Sequence, residues 1–85
     1  MGPEQARAHH GEALELYRRF GYRRGEAKAL NGLAAVALAL GEFDQAVQLY
    51  GAALEVAVEV GNRAEQSRAR AGLDQASNRS TNPSR

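Results

Sequence analysis

A repeat of forty residues constrains this chain more than any other feature. Sliding the sequence along itself by that interval lays Ala6 on Ala46, Ala13-Leu14-Glu15 on Ala53-Leu54-Glu55 and Gly21 on Gly61. Lys28-Ala29 then meets Arg68-Ala69, and Gly32-Leu33 meets Gly72-Leu73. Small and apolar residues that recur in order over a whole period mark one supersecondary unit used more than once. Such a unit buries its apolar face only by stacking on a copy of itself.

Within the period the apolar residues fall at helical spacing: Leu30, Leu33, Ala34 and Ala37, then Phe43, Ala46, Val47, Tyr50, Ala53, Leu54 and Ala57. Gly21, Gly41 and Gly61 sit where each run must stop, because glycine takes the left-handed position after a helix without a Cβ clash. The pattern predicts an all-α chain of four helices at about 3–20, 23–40, 43–60 and 63–76. Turns this short make consecutive helices antiparallel neighbours. The second helix is apolar or small on nearly every face from Ala27 to Leu40 and is expected at the centre, with Leu33 buried against the third. Residues 77–85 are polar, include Pro83 and are expected to be disordered.

Composition narrows the function classes. The chain has 85 residues and no cysteine, so neither disulfides nor thiolate zinc sites reinforce a core that shields only about 60–65% of the unfolded surface. Ten acids offset eleven basic residues to leave a net charge of +1, which builds no field suited to nucleic acid. No stretch reaches the roughly 18 apolar residues that span a bilayer. The N-terminus has no basic-then-apolar leader, and a cytoplasmic protein is expected. Ala6 stands where a myristoylation signal has Ser or Thr, and Asn78-Arg79-Ser80 matches a glycosylation pattern only by chance in a chain without a secretion route.

Leu30, Leu33, Ala34, Gly41, Phe43, Ala46, Tyr50, Ala53 and Leu54 resemble, in order and spacing, the signature of the tetratricopeptide repeat. Val58 takes the place of the proline that usually closes the pair, as in the longer forty-residue variant of the repeat. Glu12-Ala13-Leu14, Gly25-Glu26-Ala27 and Ala29-Leu30-Asn31 look like repeats of large bacterial transcriptional regulators and sensor proteins. The resemblance implies a right-handed solenoid fragment of antiparallel helix pairs whose job is to hold a peptide or protein. It further implies that Lys28, Asn31, Ala35 and Leu38, with Arg68, Ala71 and Gln75 beside them, face a ligand from the first helix of each pair. Many longer-repeat relatives carry a backbone-clamping asparagine directly before the Leu-Gly pair; here that position is Gly32 and the asparagine is Asn31. In the last helix Arg70 and Asp74 replace the types found at Leu30 and Ala34, as a polar end cap would.

Other candidate sites read as structural. His9 and His10 point about 100° apart on a helix and cannot share one metal ion, and His10 occupies the packing place that Tyr50 holds in the repeat. Arg18, Arg19, Arg23 and Arg24 flank the first turn near Glu15 and Glu26, and a salt-bridged turn is expected rather than a phosphate site. No serine precedes Ser67, and the single lysine, Lys28, sits in no glycine-rich loop, so no enzyme and no cofactor are predicted. Leu16, Tyr17 and Phe20 form an apolar stripe on the first helix that nothing later in the chain covers, and self-association into a homo-oligomer is the rival expectation. A further alternative is the sensor or regulatory module of a larger bacterial transcriptional regulator.

Overall fold

The computed structural model describes residues 2–80, which form four helices: α1 Pro3–Arg19, α2 Arg23–Ala39, α3 Phe43–Val60 and α4 Arg63–Ser80. The three turns share one construction at intervals of twenty residues. Gly21, Gly41 and Gly61 adopt φ of 69°, 79° and 69°. At each turn the residue after the glycine donates its N–H five residues back, as Tyr22 does to Tyr17, Glu42 to Ala37 and Asn62 to Ala57. This pairing satisfies carbonyls that the ending helix leaves open and sends the next helix back antiparallel.

The helix starts are less uniform. Pro3 opens α1, where its missing N–H costs nothing. The α4 start alone has a side-chain cap within the described residues, where the Glu65 N–H donates to Asn62 Oδ1 at 3.1 Å. Acids in the first turn, Glu4, Glu26, Asp44 and Glu65, suit the positive end of each helix dipole.

α2 packs against all three other helices, whereas α1 packs on α2 alone. Small residues make this possible: Ala27, Ala34, Ala46, Ala53, Ala57 and Ala69 are fully buried, and Leu30 and Tyr50 fill the space between them. Leu33 departs from expectation. It is only half-buried, because it lies at an open crevice with Arg7, Gln45 and Leu49, and Leu30 takes the deep place.

α4 also corrects the expected boundary at residue 76. It continues through Ser80, because Ala76 is still buried and the next turn finds partners on α3. The Ser80 hydroxyl donates to Asp44, and the Arg79 guanidinium stands 5.4 Å over the Phe43 ring. The predicted disorder of residues 81–85 falls outside the described residues.

Candidate functional site

The repeat places α2 and α4 as equivalent helices, and the positions expected to face a ligand lie along them. Lys28, Arg68, Ala71 and Gln75 are exposed, while Ala35 and Leu38 are half-buried. Ala35, Val36 and Arg68 border an open channel of about 350 Å³ that runs across Gly32 to Pro3, Ala6 and His10 on α1. Its lining is apolar and small, with positive charge at one rim.

Asn31 does not belong to this surface, which corrects the expectation that it faces a ligand. It is fully buried, and its Nδ2 group donates to Glu65 O at 3.1 Å and to Glu65 Oε1 at 2.9 Å. The side chain therefore ties α2 to α4, because a buried amide in a core of alanines is costly unless its donors are used. Glu65 Oε1 also accepts from Arg68 at 3.1 Å, so Arg68 reaches the channel already anchored.

A second groove adjoins the channel between α1 and α2. His9, His10, Ala13 and Tyr17 on one wall meet Lys28 and Ala29 on the other. His10 lies over Gly32, where an ideal Cβ would come within 2.6 Å of the imidazole. Burial lowers the His10 pKa from its ordinary value, and the positive neighbours His9 and Arg68 lower it further. The rings of His9 and His10 meet edge-on at 6.0 Å rather than converging on one point. No group of three or more His, Cys, Asp or Glu arranged to hold a metal ion occurs among the described residues.

Three of the four arginines at the first turn, Arg18, Arg23 and Arg24, are committed to ion pairs and a cap. Glu26 is buried and accepts from Arg18 Nε at 3.1 Å and Arg23 Nη1 at 3.0 Å, and Arg23 extends the network to Glu59 on α3. The Glu59 carboxyl is held below its usual range by the Arg23 hydrogen bonds. Arg24 donates to Val60 O at the end of α3. These contacts fasten one end of the bundle. The burial of Glu26 was not legible in the chain, since its position before Ala27 reads equally well as a solvated first turn.

The apolar stripe on α1 is divided in the structure. Phe20 and Leu16 stand open, at 76% and 48% exposure, with Tyr22 beside them. Tyr17 is half-buried, its ring packed on Gly25 and edge-on to Tyr22 at 5.5 Å. No helix among the described residues is long and apolar enough to cross a membrane.

Neither a curated protein nor a solved structure matches the chain significantly. A family model described as tetratricopeptide repeat matches residues 2–59, from the first helix to the end of the third. With the four-helix architecture and the twenty-residue turn spacing, that match makes this chain a member of the tetratricopeptide repeat family.

Proposed function

We propose that the protein is an interaction module that binds a peptide or protein segment across the face shared by α2 and α4. Lys28, Ala35, Leu38, Arg68, Ala71 and Gln75 carry the contact. The observation that carries the reading is the open channel beside Ala35 and Arg68, apolar at its floor and basic at its edge. Such a surface suits an amphipathic or acidic segment, held by apolar contact and oriented by charge. Family membership supports binding rather than catalysis as the activity.

The test is selection of peptides from a displayed library on the intact chain, followed by titration against Ala71→Arg and Gln75→Arg variants. Selected peptides should lose about tenfold or more in affinity with either variant and keep it with Arg19→Glu on the far turn. Peptides that bind all the variants alike would place the contact elsewhere.

Self-assembly is a second reading, supported by the exposure of Leu16 and Phe20 on α1. It predicts an unfolding midpoint that rises with protein concentration and a Tyr17→Glu variant shifted toward monomer.

A further inference from the structure

Helices α1 and α3 each pack on α2 but not on each other. Between them Arg7, Leu33, Ala37, Gln45 and Leu49 enclose a crevice of about 120 Å³, room for one apolar group near the size of a benzene ring. Side chains alone bridge the gap. Arg7 donates to Glu42 at 2.8 Å at one end, and further along Arg18 and Arg23 meet on the buried Glu26, from which Arg23 continues to Glu59. The crevice is complete within these three helices. By the stacking of the repeat, a helix preceding α1 would meet Ala6, Ala13 and Leu16, whose equivalents Ala46, Ala53 and Val56 are buried under α2. It would leave Arg7, Leu33 and Leu49 as they are.

The walls beside the crevice are low and acidic. A Cβ added at Gly11, one turn from Arg7, meets nothing within 4 Å, and Ala8 is exposed and Ala52 half-buried. Glu15 stands one turn beyond Gly11 and Glu55 one turn beyond Ala52, both exposed. Neither carboxylate has an ion-pair partner among the described residues, whereas Arg7, Arg18 and Arg23 are all paired. Arg19, one turn past Glu15, is unpaired but lies about 100° round α1 from Arg18, away from α3. α3 itself carries Asp44, Glu55 and Glu59 and no basic residue. This side of the molecule is therefore opposite in charge to the face that holds Lys28 and Arg68.

We propose that the α1–α3 crevice docks a basic amphipathic helix of a partner protein. One leucine-sized side chain enters between Leu33 and Leu49, and lysines or arginines two turns along meet Glu15 and Glu55. The spacing follows from the walls: Glu55 lies six residues beyond Leu49 and Glu15 eight beyond Arg7, about 9–12 Å at the rise of a helix. The surface is distinct from the α2–α4 face of the function proposed above. A second copy supplies no such helix. Its most basic helix, α4, exposes no apolar side chain larger than alanine, and Leu16 of α1 is flanked by Glu12 and Glu15.

Two labelled alanine-based helical peptides test this by fluorescence anisotropy against the intact chain. Each has one central leucine, with lysines two turns to either side in the first and glutamates there in the second. The lysine peptide should bind saturably and exceed the glutamate peptide in affinity by about threefold or more. Replacing its leucine by alanine should cost about tenfold or more, a loss that no misfolding of the protein can mimic. Glu15→Lys and, independently, Glu55→Lys should each weaken it by about threefold or more, and Gly11→Arg should do so by narrowing the wall. Ala71→Arg and Lys28→Glu should leave it unchanged. Equal affinity for the two peptides would overturn the proposal, as would binding that survives both glutamate reversals. Binding lost with Ala71→Arg would place the peptide on the α2–α4 face, which supports the function above and overturns this one. A chain that sediments as a dimer and loses the peptide as its own concentration rises would assign the crevice to a second copy, against the proposal.

Discussion

The Tyr50 ring lies directly over the backbone of Gly72, leaving no room there for a Cβ. Forty residues earlier, in the same register, His10 lies over Gly32. Each pair joins a helix to the one after it, and each glycine is present for close approach rather than for a turn. Gly72→Ala should destabilise the chain by about 1–3 kcal/mol through overpacking, although alanine is otherwise the better helix former. Gly11 and Gly51 have open space around them, so alanine there should stabilise by about 0.5–1 kcal/mol. Denaturant midpoints of the three variants check the contrast, which reverses if Tyr50 does not sit on Gly72.

Leu30 and Leu33 should separate in the same kind of measurement. Leu30 is buried to 2% exposure at the centre of the bundle, and Leu30→Ala is expected to cost about 2–4 kcal/mol. Leu33, half-exposed at its crevice, should cost clearly less than Leu30. Equal costs would contradict the packing of α2 against α3.

Gly41 tests the turn. Its φ of 79° lies in the left-handed region, where a β-branched side chain is strained, so Gly41→Val should destabilise by about 1–2 kcal/mol. Nothing lies within 4 Å of a Cβ at this position, so the cost is backbone strain and not collision. Gly41→Asn, which tolerates the same φ better, should recover part of it.

Acidification should weaken the fold through His10. Its pKa is lowered on folding from 6.5 by burial over Gly32, with His9 of α1 and Arg68 of α4 adding repulsion. Lys28 on α2 lines the same groove with the same sign of charge. The unfolded chain therefore binds a proton more readily than the folded chain. This contribution is fully present above about pH 6.5 and is lost as the pH falls through the lower, folded value. His10→Tyr, which copies the Tyr50 arrangement, should flatten the pH dependence of the unfolding midpoint between pH 7 and pH 5. An unchanged slope would mean that another group titrates there.

The fold was readable because its signals were local and repeated. Gly21, Gly41 and Gly61 end helices by a backbone requirement that the residue type alone reveals, and the spacing of Leu30, Ala34 and Ala37 marks one buried face. The end of α4 was less readable. Ser77, Asn78 and Ser80 are poor helix formers by type, and Asp44 and Phe43, which hold that last turn, lie more than thirty residues away. Asn31 misled for a related reason. A polar residue on a helix reads as exposed until its partner is known, and the Glu65 backbone carbonyl it meets carries no mark in the sequence. Lys28, Arg68, Ala71 and Gln75, which the resemblance to the repeat family singled out and periodicity did not, are exposed, and Ala35 is half-buried.

The binding face can be located directly by titrating the isotopically labelled intact chain with a selected peptide and following amide chemical shifts. Saturable changes are expected at Lys28, Ala35, Arg68, Ala71 and Gln75, along α2 and α4. Changes confined to the outer face of α3, around Gln48 and Glu55, would contradict that placement.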